Sequence, residues 1–179
     1  MDDWQEEFNK ALAGVKSLVV LGVGNEIMGD DAAGVLVARQ LRKIGMRCGD
    51  GPSGLDAPKE NAKIEVVVYE AGTTPENFTG PIERIRPDLV LIIDAADMGR
   101  PVGEVAWLEP ERMGSMMHGT HTMPLSFLAE YIRRTSGAGV AAIGIQAGRI
   151  NMDSGPSPEV ARACNRIVQV VKQAIISDG

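Results

Sequence analysis

The constraint that most limits this chain is the recurrence of short apolar runs separated by stretches of helical periodicity. Residues 17–23, 64–69, 89–94 and 140–146 are nearly continuous in Val, Ile, Leu and Ala. Strands buried on both faces read this way, whereas strands with one wet face alternate. Helical patterns fill the gaps. Residues 4–13 place Trp4, Phe8, Ala11 and Leu12 on one face, and Asp31 to Ile44 place Val35, Ala38, Leu41 and Ile44 on another, with Gly45 as a stop. Residues 75–85 open with Thr74 as N-cap and Pro75 in the first turn, and further helices are predicted over 123–135 and 157–176. Residues 103–109 alternate apolar and polar, as an edge strand does. Strands alternating with helices imply an α/β chain whose sheet is covered by helices on both faces.

No repeat and no dividing linker interrupts this pattern, so residues 1–179 read as a single domain. The stretch 47–62 departs from it. Gly49, Gly51, Pro52, Gly54 and Pro58 stand among polar residues there, which predicts a long loop, either a surface insertion or a lid.

In sheets of this class the functional site lies beyond the carboxyl ends of the parallel strands. Three residues fall there. Asp31 follows the first strand through Gly22-Val23-Gly24-Asn25-Glu26-Ile27-Met28-Gly29-Asp30-Asp31; Asp94 ends the run 89–94; His121 precedes a helix start marked by Pro124. Two carboxylates and an imidazole are a ligand set for a divalent metal. Each residue also has a plainer reading. Asp30 and Asp31 suit a helix N-terminus, with Asp30 as the cap. Asp94 would satisfy itself by accepting hydrogen bonds from backbone N–H groups, and Asp97 by meeting a loop amide. His121 sits where a helix dipole favours the neutral, metal-binding ring. His118 lacks that setting and reads as a solvent-facing residue or a support for His121.

Other chemistries fit poorly. Gly22-Val23-Gly24 after a strand invites a dinucleotide reading, but position 27 is Ile and two aspartates stand where a pyrophosphate would sit. The glycines are expected to shape a turn instead, with Asn25 tolerating a left-handed backbone. No residue is assigned to an organic cofactor. No G-x-S-x-G elbow is present, and neither Cys48 nor Cys164 has a reactive setting. The net charge of −6 disfavours nucleic acid as a partner. Two cysteines outside any CxxC, an acidic N-terminus and no spanning apolar run lead to a cytoplasmic expectation.

The segment from Leu21 to Gly34, the segment Leu91-Ile92-Ile93-Asp94-Ala95-Ala96-Asp97-Met98-Gly99, and Thr120-His121-Thr122-Met123-Pro124-Leu125 together resemble the three motifs of the hydrogenase maturation endopeptidases. The likeness is closest to the branch serving formate-linked and related group 4 nickel–iron hydrogenases. It runs from about Val15 to Lys172, with the N-terminal helix (about 4–13) and the 47–62 loop as additions. The resemblance implies a monomeric three-layer α/β/α protein with a mostly parallel sheet of about five strands. It implies cleavage of a C-terminal extension from the hydrogenase large-subunit precursor after nickel insertion. It also implies recognition of nickel, carried by the substrate, through Asp31, Asp94 and His121, although other divalent ions would fill the same site in vitro. Asp31 and Asp94 are then the expected catalytic residues, beside the metal or as a metal-free acid/base pair. A chaperone-like module that checks nickel loading without cutting would use the same three ligands.

Overall fold

The apolar runs form strands Ser17–Val23 (β1), Glu65–Gly72 (β3), Leu89–Ala96 (β4) and Gly139–Gln146 (β6). Before, between and after them lie helices Asp3–Ala11 (α1), Ala33–Lys43 (α2), Thr79–Ile85 (α3), Leu125–Ser136 (α4) and Pro158–Ile175 (α5). Val105–Leu108 (β5) and the two-residue Arg47–Cys48 (β2) complete the sheet. These elements come from a computed structural model that describes residues 2–48, 64–109 and 124–175.

The strand order is β2-β3-β1-β4-β6-β5. All neighbours run parallel except β5, which pairs antiparallel with β6 at one edge, as the alternation over 103–109 predicts. Five strands of four or more residues form the body of the sheet. The sixth, β2, revises the expected loop: Arg47 and Cys48 pair with Val67 and Val68. The rest of that loop, 49–62, lies outside the described residues.

All eight residues of β4 are buried. The reason is a core on each face. Trp4, Phe8, Val37, Leu41, Ile167 and Val171 from α1, α2 and α5 cover one set of strand side chains. Ile82, Leu125, Leu128 and Ile132 from α3 and α4 cover the alternate set, which includes Val19, Leu21, Val90 and Ile92. The architecture is therefore helix layer, sheet, helix layer. Among the described residues no helix is long and apolar enough to cross a membrane.

Several expected ends move, including the start of the 75–85 helix, whose first turn Pro75–Phe78 is a 3-10 turn before α3. The strand at 64–69 continues to Gly72, because the charge of Glu70 is met by Arg42 at 2.7 Å and Arg39 at 2.8 Å from α2. The helix expected from Asp31 begins as a tight turn over Gly29–Ala32, and α2 proper starts at Ala33.

The closest approach in the layers is that of α2 to the sheet centre. A Cβ placed on Gly34 would collide with the carbonyl oxygens of Ile93 and Val23, and one on Gly22 with the carbonyl of Gly34. These are backbone atoms of central elements and have no room to give. Gly34→Ala is expected to cost about 1–3 kcal/mol from overpacking, although alanine gains roughly 1 kcal/mol over glycine in a helix interior. Urea unfolding checks this, and an equal or higher midpoint would show that α2 can lift away freely.

Candidate active site at the carboxyl edge of the sheet

Adjacent parallel strands β1 and β4 bring the first two expected residues to one edge. Their pairing ends at Gly22 opposite Ile93. Asp94 is thus the first β4 residue past the last β1 pair. It does not end its strand, as expected, because β6 continues alongside and pairs Asp94, Ala95 and Ala96 with Gly144, Ile145 and Gln146. The crossover leaving β1 passes over one face through α2, and the one leaving β4 returns over the other face through α4. Strand order reverses between β1 and β4, and that divergence opens a crevice where ligands bind in such sheets.

The turn leaving β1 is closed on itself. Gly24 adopts φ 132°, a conformation that favours glycine. The N–H of Asn25 donates to the Asp31 carbonyl at 3.2 Å and to its carboxylate Oδ2 at 3.0 Å. Met28 N–H returns to the Asn25 carbonyl at 3.1 Å, and Asp31 N–H to that of Met28 at 3.2 Å. Asn25 itself is not left-handed: among the described non-glycine residues only Arg86 and Asp153 have positive φ. Its side chain instead accepts from Ile27 N–H at 3.3 Å, so an Asx turn does the shaping.

Asp31 is 9% exposed and Asp94 fully buried. Asp94 Oδ1 accepts from its neighbour's N–H, Ala95, at 2.8 Å. That oxygen lies 3.6 Å from the point where a Cβ of residue 24 would stand, and the Asp31 carbonyl presses on the same point. Both aspartates therefore border Gly24. Among the described residues no three His, Cys, Asp or Glu side chains cluster as a metal site. His118 and His121 lie outside the described residues. Pro124, which follows, opens α4 by accepting from Phe127 and Leu128 N–H, at this same edge of the sheet.

Asp30 is placed differently from the expected cap. Its carboxylate takes nothing from its own helix. Oδ2 accepts from Gly148 N–H at 2.9 Å and Arg149 N–H at 2.8 Å, and Oδ1 from Ser157 N–H at 2.6 Å, 127 residues away. Three remote amides outweigh the one or two that a cap position offers. Burial pushes its carboxyl up, but those three backbone N–H groups together with the Ser157 hydroxyl more than offset it and hold Asp30 below the usual carboxylate range. The result clamps the turn carrying Asp31 to the loop that enters α5.

Two further supports escape a reading by motif. Gln146, buried at the end of β6, accepts from Met98 N–H at 2.7 Å and Arg100 N–H at 3.2 Å. Its amide donates to the Ala147 carbonyl at 2.9 Å and to Asp97 Oδ1 at 3.4 Å. It holds the chain that leaves β4 just after Asp94. The visible signal was a lone polar residue closing an apolar run. Asp97 also accepts from Gly99 N–H at 3.4 Å, the loop-amide role expected of it. On the other flank Arg39 joins Glu26 of the turn at 2.7 Å to Glu70 of β3. Cys164 is no nucleophile: it is buried, donates to the Ala33 carbonyl at 3.6 Å, and burial pushes its thiol up to about 12.

Because the folded-state value of Asp30 is depressed, its contribution is present above the ordinary 3.8 and is lost as pH falls below it, through the folded value. Asp30→Asn is expected to destabilise the protein by about 1.5–3 kcal/mol at neutral pH. Urea midpoints of the two proteins should converge as pH drops below that point. A gap that stays constant with pH would show that charge is not what the amides hold.

The chain is similar in sequence and fold to known proteins. The sequence model of the HycI family, described as hydrogenase maturation protease, matches residues 55–174. A putative hydrogenase maturation protease of Methanocaldococcus jannaschii is 35% identical over 136 residues, 75% of each chain. The hydrogenase 3 maturation protease of Escherichia coli is 37% identical over 129 residues, 72% of this chain and 71% of that one. Among solved structures, the NiFe hydrogenase maturation protease HycI from Thermococcus kodakarensis superposes with a TM-score of 0.77 at 28% identity, covering 94% of this chain and 97% of that one. With two buried aspartates at the strand-order reversal and this likeness in sequence and fold, the chain belongs to the hydrogenase maturation protease family and is an endopeptidase.

Proposed function

We propose that this endopeptidase removes the C-terminal extension of a nickel–iron hydrogenase large-subunit precursor after nickel has been inserted. The observation that carries the reading is the pair Asp31 and Asp94, both buried and both bordering Gly24 at the carboxyl ends of adjacent strands. Carboxylates at such an edge suit a hard or borderline divalent ion, which in turn polarises a peptide carbonyl. Nickel is part of the substrate in this proposal. Asp31, Asp94 and His121 complete its coordination and so place the scissile bond beside it. Asp31 and Asp94 then orient the attacking water, and the substrate's metal lowers the barrier by polarising the carbonyl or acidifying that water. Making activity depend on a shared site links cutting to correct loading. The protein works as a monomer in the cytoplasm, on a protein partner.

The test is incubation with nickel-loaded and nickel-free precursor, read by mass. A loaded precursor that loses a short C-terminal peptide, while the nickel-free form stays intact, is the expected result. Complex formation with unchanged mass would assign the protein to nickel checking without cleavage. Equal cutting of both forms would leave Asp31 and Asp94 as a metal-free acid/base pair.

Asp94→Asn keeps the shape of the side chain and is expected to lower processing at least about 100-fold, the lower range for a lost acid/base or metal-orienting group, with the fold retained by circular dichroism. His121→Ala is expected to do the same and His118→Ala to be nearly silent. Equal losses at the two histidines would show the wrong one was chosen. Since a neutral imidazole must bind, processing is expected to decline below about pH 6.5. A rate that climbs as the solution is acidified through that range would point to a protonated carboxylate.

A further inference from the structure

The turn that carries Asp31, and the loop bonded to it, carry apolar side chains that the mechanism above does not use. Ile27 is 52% exposed, Met152 68% and Ile150 37%. Single exposed apolar residues are ordinary. These three differ in being carried by two loops sewn together. Asp153 N–H donates to the Ile27 carbonyl at 2.8 Å, Gly29 N–H to that of Ser154 at 3.1 Å, and Asp30 N–H to that of Arg149 at 2.8 Å. Met28 and Ser154 form an isolated bridge, and Asp153 holds a left-handed backbone at φ 56° between Met152 and Ser154. The Asp30 carboxylate binds the same loop at residues 148 and 149. An exposed apolar rim on fixed backbone is already organised for contact, so little ordering is lost on binding.

We infer that Ile27, Ile150 and Met152 form the seat on which the precursor protein docks while its C-terminal tail enters the cleft. The inference rests on the protease reading, and it names where the substrate is held. Continuity with the cleft identifies the occupant. Ile27 and Asp31 belong to one turn, four residues apart, so their Cα atoms are at most about 14 Å apart. That is the reach of about four extended residues of substrate. A polypeptide bound at Asp31 therefore has residues within reach of this rim, and an apolar segment within about four residues of the bond that is cut is the part that meets it. Methionine suits a seat that must follow an irregular partner surface.

The test compares Ile27→Glu/Met152→Glu with the wild type and with Ile44→Glu, the same kind of substitution at the far end of α2, where Ile44 is 42% exposed. Binding of nickel-loaded precursor is measured by biolayer interferometry, and cleavage by mass. The expected result is a Kd and a KM raised about tenfold or more, as for a lost interface anchor. The expected kcat stays within about twofold, and the Ile44→Glu variant matches the wild type. Met152→Ser is expected to shift Kd in the same direction without a new charge, which covers loops unsettled by glutamate. Wild-type affinity in both Ile27→Glu/Met152→Glu and Met152→Ser would overturn the seat, whether or not the wild type cuts. So would a wild-type dimer that these substitutions dissolve while precursor binding stays unchanged. Wild-type binding that the substitutions weaken, with no change of precursor mass, would sink the protease reading and leave the seat standing.

Discussion

Contact between the backbone of α2 and the two central strands governs the rest of this molecule. Gly34 sets its Cα against the carbonyl oxygens of Val23 and Ile93, and Gly22 sets its own against Gly34. At that distance no side chain separates helix from sheet. The connection between β1 and α2 must therefore fold back under the helix. It achieves this by closing on itself through Asn25 and Asp31. The position of Asp31 against Asp94 follows from this close fit, since both residues border Gly24.

Electrostatics then stiffen what packing has placed. The buried Asp30 is stabilised by three amides from a loop more than a hundred residues away. An ionised carboxylate in such a place is tolerated only because its lone pairs are met. Glu70, half-buried at the end of β3, draws Arg39 and Arg42 from α2, and Arg39 also reaches Glu26 of the turn. Neutral Gln146 does comparable work on the other side of Asp94, by filling the loop amides of Met98 and Arg100. Among the described residues, three loops of the carboxyl edge are thus each tethered by one buried or half-buried polar side chain from elsewhere in the fold. Preorganisation of this kind is what a site for positioning a peptide bond requires.

The division of labour between Asp30 and Asp31 shows how neighbouring identical residues acquire different tasks. Both are acidic, both are buried, and they are adjacent in a tight turn. Successive residues of such a turn point in different directions. One carboxylate is directed into the loop before α5 and is consumed there by structure. The other stays at the turn's own amide, accepting from Asn25 N–H.

Sequence alone determined the layers and the strands that build them, because burial on both faces leaves an unbroken apolar run wherever such a strand occurs. It also placed Asp31 and Asp94 at the carboxyl edge, since in a parallel sheet every strand enters at one end and leaves at the other. His121 rests on the sequence reading alone. What only the tertiary structure decided is where each polar group finds its partner. Asp30 reads locally as a helix cap, yet its amides come from residues 148, 149 and 157. Glu70 reads as the end of a strand, yet two arginines carry the strand past it. Hydrophobic periodicity reports the face a residue occupies, a property of a few neighbouring positions. Pairing of charges and amides across the fold depends on which distant segments meet, and local spacing holds no record of that.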